Sequence, residues 1–305
     1  MSARYDAARL KGVGLLVGTP MYDGRCHSQY LQGMCHLTAL CQQVGISLQV
    51  CLPCGDALVM AARNTIADRF LRSGADYLVM IDSDIGFEAS DVLEVLSVQQ
   101  ADGGANAYDV VVAPYPQKRF DWSSVSRAAK AGLADDDADR LERYASDIQL
   151  HLAEGGQFKL NAPVEVTQAS TAFMSIRRST LDRFCKAYPE RTYRSGPSDL
   201  REGAGPTMTQ FFDTAIEGGA ETLEADLRGY LAEHPEAGSE AVLAFMSARR
   251  GEPGPYVSED FQFCRLVRRI GLKVWACPWI DLTHTGSHTF RTRVEDLARV
   301  RKAVV

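Results

Sequence analysis

The 305-residue chain has no apolar run of transmembrane length, no block of basic residues and no internal repeat. The first absence excludes a membrane-spanning helix from expectation. The N-terminus, Met1-Ser2-Ala3-Arg4-Tyr5-Asp6, carries charge but no apolar stretch follows it, so a signal peptide is not expected. A cytoplasmic protein is the expectation, with attachment to a membrane surface through a partner left open. The net charge of −6 and the lack of a basic block argue against nucleic acid as the main partner. Six histidines are few for a two-metal hydrolase. Eight cysteines are present, but Cys51-Leu52-Pro53-Cys54, with Cys26, His27, Cys35 and His36 upstream, fits none of the common zinc spacings. Ordinary thiols are expected, several of them inside apolar patterns.

What is present begins with core. Hydrophobic residues make up 46% of the chain, enough for a large packed domain. The first third alternates strand and helix. Val13–Gly18 reads as a strand ending at Thr19-Pro20, and a helical pattern from about Ser28 to Val44 stops at Gly45. Ile46–Leu52 is a second strand. Asp56 is placed to cap a helix from Ala57 to Arg72, and Gly74 to stop it. After the apolar strand at 77–81, Ser90 is expected to cap a helix over Asp91–Val98, and Tyr108–Ala113 is a fourth strand. Such alternation with short loops predicts an α/β fold, a mostly parallel sheet flanked by helices.

The second half is less regular. Residues 118–157 are polar and contain Asp135-Asp136-Asp137, the pattern of a solvated helical insertion. Val164–Gln168 and Ala172–Ile176 read as strands, and Ser179–Ala187 as a helix. Residues 191–255 read as a second insertion or lid around two helical stretches, 221–232 and 239–249. Glu259–Ile270 is an amphipathic helix ended by Gly271. Lys273–Cys277 and Trp279–Leu282 read as short extended segments, and Val294–Val304 as a terminal helix.

The chemistry concentrates in Tyr77-Leu78-Val79-Met80-Ile81-Asp82-Ser83-Asp84-Ile85-Gly86. A buried strand runs straight into two carboxylates. Carboxylates at such a position need a positive partner. If strand geometry persists, Asp82 and Asp84 point to the same side. Two hard oxygen ligands on one rim suit Mg²⁺ or Mn²⁺, ions that carry substrate phosphates. A phosphate-bearing donor follows as the first hypothesis. The plainer alternative is a solvated turn at a strand end. Arg63 and Asn64, on the preceding helix, have the donor chemistry for a phosphate, ribose or base edge.

The stretch from Ala61-Ala62-Arg63-Asn64-Thr65-Ile66-Ala67 to Phe87 resembles the nucleotide-sugar-binding half of GT-A glycosyltransferases, in particular the family 2-like group. Ser258-Glu259-Asp260-Phe261 resembles that group's later E-D motif, and Leu282-Thr283-His284-Thr285-Gly286 resembles the segment that carries a histidine metal ligand. Two features depart from the pattern. Ile85-Gly86 follows the D-x-D where a further acid is more usual, and the Gln-x-x-Arg-Trp signature of processive synthases is absent. The resemblance implies one GT-A-like domain over 1–305, with a nucleotide-sugar half over about 10–120, an acceptor half over about 160–290, and insertions near 118–158 and 191–255.

It further implies single transfer of a sugar from a UDP- or GDP-sugar to a glycan or other hydroxyl acceptor, with Mn²⁺ or Mg²⁺. Asp84 would hold the metal directly, and Asp82 the metal, its water or the ribose. His284 would add an imidazole, which favours Mn²⁺, with His288 a rival. Asp260, or else Glu259, would take the acceptor proton, and direct displacement would then invert the anomeric centre. Both acids also suit a first helical turn for its dipole alone. Thr19 and Pro20 would line the base pocket, where Tyr22 would stack. Aromatic residues at Phe211-Phe212, Trp275 and Trp279 suit either a sugar groove or the core. Two rivals stay open. One is a sugar-nucleotide nucleotidyltransferase, disfavoured because Thr19–Arg25 has one Gly and no Lys. The other is a non-catalytic nucleotide- or carbohydrate-binding protein of the same fold.

Overall fold

The computed structural model describes residues 5–101, 108–197, 205–216, 220–249, 254–288, 293 and 299. Helix α1 (Ala7–Leu10) leads into β1 (Gly14–Gly18), α2 (Ser28–Val44), β2 (Ser47–Cys51), α3 (Val59–Ser73) and β3 (Tyr77–Ile81). Next come β4 (Ile85–Gly86), α4 (Ala89–Gln100), β5 (Val110–Val112), α5 (Trp122–Lys130) and β6 (His151–Leu152). The following elements are β7 (Val164–Gln168), β8 (Phe173–Arg177), α6 (Arg178–Ala187), β9 (Thr192–Arg194), β10 (Thr207–Thr209) and β11 (Ala215–Ile216). Then follow α7 (Ala220–Glu233), α8 (Ser239–Arg249), β12 (Tyr256–Val257), α9 (Glu259–Arg269), β13 (Val274–Ala276) and β14 (Thr283–His284).

Eight strands form the main sheet in the order β2-β1-β3-β8-β5-β13-β7-β6. β2, β1 and β3 are parallel, as are β5 and β13; β8 and β7 oppose their neighbours. The expected α/β fold with a mostly parallel, helix-flanked sheet is therefore present. Alternation along β3 divides the core. Val79 and Ile81 pack with Leu37, Leu93 and Leu96 from α2 and α4. Leu78 and Met80 pack with Ile66, Phe70, Phe184 and Phe263 from α3, α6 and α9. Successive strand residues point to opposite faces, so a strand apolar at every position is buried on both.

Several boundaries differ from expectation. Ser90 does not cap α4. Glu88 does, through a reciprocal box in which its side chain accepts from the Asp91 N–H and Asp91 Oδ2 accepts from the Glu88 N–H at 2.8 Å. Asp56 accepts from Leu58 N, one residue ahead of α3. The first insertion holds α5 and a 3₁₀ turn (Ala138–Tyr144) as expected of helical chain, but ends in β6, which pairs with β7 at the sheet edge. Trp279–Leu282 forms no strand, and the short strand falls instead on Thr283–His284. The expected terminal helix at 294–304 lies, apart from residue 299, outside the described residues. Among the described residues no helix is long and apolar enough to cross a membrane.

Candidate functional site

The strand that delivers the two acids stops at Ile81. Asp82 N donates to Ala172 O at 3.0 Å, and Ile85 N closes a turn onto Asp82 O at 3.1 Å. β4 then pairs antiparallel with β14, placing His284 opposite Ile85. Thr285 N donates to Asp84 O at 2.9 Å. Gly86 is required at this crossing, because a Cβ there would collide with Thr283 and Gln29. A same-side placement of Asp82 and Asp84 needed strand geometry to persist. The turn ends that geometry, and the two side chains take different partners.

Asp84 receives the Lys118 ammonium on Oδ2 and faces His284 Nε2 at 3.6 Å through Oδ1. The other ring nitrogen of His284, Nδ1, lies 2.8 Å from Pro116 O. A carbonyl only accepts, so Nδ1 carries a proton, and the ring turns its Nε2 toward the carboxylate. Burial pushes the Asp84 carboxyl up, but hydrogen bonds from His284 and Lys118 outweigh it and hold the group down at about 2. With no proton on Nε2, His284 and Asp84 would face each other as two electron-pair donors, which suits a cation between them. Asp84 and His284 thus have the chemistry to hold a divalent ion that brings its remaining ligands from phosphate and water. Among the described residues no three His, Cys, Asp or Glu side chains gather as a metal-holding set. Asp82 is directed elsewhere.

Asp82 meets Arg63, whose Nη2 lies 3.3 Å from both carboxylate oxygens. The Arg63 Nη1 donates to Glu259. Arg63 is 5% exposed, so this is a nearly buried cation between two acids, joining the end of β3 to the start of α9. Asn64, expected at the nucleotide, is used differently. Its Oδ1 accepts from Phe211 N at 3.0 Å and Phe212 N at 2.9 Å, and its Nδ2 donates to Phe212 O at 2.9 Å. With its amide so engaged inside the fold, it is not brought to the acids. Phe211 and Phe212 are fully buried, so they are core.

Asp260 opens differently from Glu259. It accepts from Ser258 Oγ and from Phe261 N, and it lines a cavity of about 140 Å³ with Gln117, Gln149, His151, Gln168 and Ser170. His151 Nε2, at this wall, has no hydrogen-bond partner among the described residues. Tyr115 bridges the two parts of the site. Its hydroxyl donates to Ser170 Oγ at 2.9 Å and its ring meets that of His284 edge-on at 5.1 Å. Burial raises the Tyr115 hydroxyl, as do the nearby charges of Asp82 and Asp260.

The residues expected around a base lie at the carboxyl end of β1. Thr19 is fully buried, with its hydroxyl 2.6 Å from Tyr30 OH, so its side chain belongs to the core. Pro20 is half-buried and Tyr22 is 68% exposed on the following loop. The His288 ring meets that of Phe120 at 4.7 Å. None of the eight cysteines forms a disulfide. Tyr115 and Lys118 escaped notice in the sequence. The signal was positional: both follow β5, and ligands gather at the carboxyl ends of strands in such sheets.

No protein-family model matches the chain, and no curated protein matches it. Solved structures similar in outline include the following three. A197 from STIV shows 13% identity and a TM-score of 0.42, over 92% of this chain and 98% of that one. GalNAc-T7, solved with UDP, GalNAc and Mn²⁺, shows 7% identity and a TM-score of 0.35, over 89% of this chain and 43% of that one. The catalytic domain of Drosophila beta1,4galactosyltransferase 7, in complex with xylobiose, shows 9% identity and a TM-score of 0.28, over 90% and 95%. This chain therefore spans less than half the length of GalNAc-T7. Likenesses this distant assign no residue and no reaction.

Proposed function

We propose that the chain is a GT-A-like glycosyltransferase, one catalytic domain over 1–305, that moves a sugar from a UDP- or GDP-sugar to a hydroxyl acceptor by single transfer. The observation that carries this reading is the meeting, at the carboxyl ends of the strands, of the Asp84–His284 pair with a polar cavity that opens on Asp260. One half has the chemistry for a phosphate-bound cation, the other for a hydroxylated ring and its proton.

Asp84 and His284 would hold a divalent cation, Mn²⁺ or Mg²⁺, which when bound would supply Lewis-acid charge for the departing diphosphate. The chain's own residues do the rest. Asp260 takes the proton of the acceptor hydroxyl as that oxygen bonds to the anomeric carbon and the electron pair of the old C–O bond leaves with the diphosphate. Arg63 fixes Glu259, and so sets the first turn of α9 on which Asp260 rides. Asp82, held by Arg63 at the rim, is left to meet the ribose or a water. His151, Gln149 and Gln168 offer an imidazole and two amides to acceptor hydroxyls.

Calorimetry with UDP and with GDP, each with and without Mn²⁺, tests the donor half. The wild-type chain should bind one of them in a metal-dependent way, and Asp84→Ala should abolish that binding while keeping the melting temperature within a few degrees. Metal-independent binding of equal strength in both proteins would remove Asp84 from the donor site.

A further inference from the structure

Lys118 belongs to none of the motifs that mark this site, yet its ammonium sits on the same carboxylate that faces His284. Its surroundings separate a fixed root from a free head. Pro116 bridges Ile148 and its carbonyl is held by His284; Gln117 N donates to Asp147 O at 3.0 Å, and Gln117 O accepts from Ser146 Oγ at 2.5 Å. The root is thus tied to both the sheet edge and the first insertion. The head is not enclosed: the Lys118 side chain is 40% exposed. Its stem crosses Gly286, where a Cβ would come within 2.9 Å of Lys118 Cδ. The chain has left room there for a lysine stem.

An ammonium on a flexible four-carbon stem is a movable point charge. On Asp84 it neutralises the carboxylate that the donor's cation would need. A divalent ion on Oδ1 and an ammonium on Oδ2 of one carboxylate repel each other, so the ion's arrival weakens the hold of Asp84 on Lys118. The nearest anion then on offer is the diphosphate that comes with the ion. Lysine is a frequent phosphate partner as a point charge.

We propose that Lys118 is the tethered cation of the donor site: it rests on Asp84, yields that carboxylate to a divalent ion, and carries its charge to the diphosphate of the bound nucleotide. The proposal rests on the donor reading above and adds to it a residue with two successive partners. Such a residue has effects of opposite sign. Without nucleotide it competes with the metal. With nucleotide it supports binding and stabilises the leaving diphosphate.

Isothermal titration calorimetry on the full chain separates these effects, using the wild type, Lys118→Met and Lys118→Arg. With MnCl₂ alone, Lys118→Met should bind the metal about fivefold more tightly, since an intrachain competitor is gone. With UDP, and separately GDP, at saturating Mn²⁺, the same variant should bind the preferred nucleotide about tenfold or more weakly, the effect of losing one charge-assisted hydrogen bond. Lys118→Arg keeps the charge and should recover most of the nucleotide affinity. The assignment is overturned if Lys118→Met leaves both affinities unchanged, or weakens both together, as loss of a merely structural ion pair would. It is also overturned if the variant binds nucleotide more tightly. A wild-type chain that takes neither UDP nor GDP would sink the donor reading and Lys118 with it. A wild type that binds, beside a Lys118→Met that binds equally, sinks the role of Lys118 alone.

Discussion

Glu259 and Asp260 are adjacent in sequence and opposite in circumstance. Glu259 is 13% exposed and paired with a buried arginine; Asp260 lines the cavity. A carboxylate oxygen occupied by a guanidinium is not presented to an acceptor hydroxyl, whereas one that lines the cavity is. Replacing each with its amide should therefore separate stability from activity. Glu259→Gln should lower stability by about 1–3 kcal/mol, since it weakens a buried charge-assisted bond. Asp260→Asn should leave the melting temperature and donor binding in place and reduce sugar transfer by about 10²–10⁴-fold. Urea unfolding and a transfer assay on the same two proteins check this; full transfer by Asp260→Asn would end its role as base. At this scale the sequence was readable where order carried the signal: Arg63, Asp82, Asp84, Asp260 and His284 do lie within one region. It misled for Asn64, whose amide is used by a backbone segment almost 150 residues away. It was silent on Lys118, whose partner is 34 residues distant and reached only after the chain folds.

Helix α4 shows how an element's end can carry charge at a disadvantage. Asp91 completes the capping box, but burial pushes its carboxyl up to about 6, helped by Glu94, Glu88 and Asp281 and opposed by the Glu88 N–H. The folded state thus favours the neutral acid. Its contribution is full below the unfolded value of 3.8 and is lost as pH rises through about 6. Asparagine is neutral at every pH and still accepts from the Glu88 N–H. Asp91→Asn should therefore stabilise the chain at pH 8, by about 1 kcal/mol once solvent screening of the half-buried group is allowed for, and give no gain at pH 4. Denaturant unfolding at the two pH values measures the difference; an equal effect at both would place the cause outside this carboxyl. The capping box was hidden in the sequence because Ser90 is the better intrinsic cap. The reciprocal Glu88–Asp91 bonds start the helix two residues earlier than Ser90 would have. Gly45, by contrast, was legible, because its φ of 86° is a conformation that glycine adopts freely.

Across the whole molecule, periodicity revealed which segments are strands and helices but not how distant strands pair. The parallel run β2-β1-β3 follows from local strand–helix alternation. The insertion of β8 between β3 and β5, and of β13 between β5 and β7, is non-local and left no mark in any short window. The halves are thus interleaved in one sheet, and α3 fastens them further. Arg63 reaches Glu259, Asn64 holds the backbone of Phe211 and Phe212, and Arg178 donates to the carbonyls of Phe70, Leu71 and Ala75 around its end. Asn64 is the sharpest of these to test, because it ties the second insertion to the core through three hydrogen bonds. Asn64→Ala would take away the partner of the buried Phe212 N–H and carbonyl, and leave the Phe211 N–H with Thr209 O alone. That should lower stability by about 2–4 kcal/mol. The loss should be local first: limited proteolysis under native conditions should cut within 191–255 sooner than in the wild type, while the sheet resists. Asn64→Asp keeps the two acceptor contacts but buries a charge and loses the donor, so it should be no better tolerated. A wild-type cleavage pattern in Asn64→Ala would mean that the insertion is held by its other contacts, chief among them the Phe211 and Phe212 side chains packed with Phe184 and Phe263.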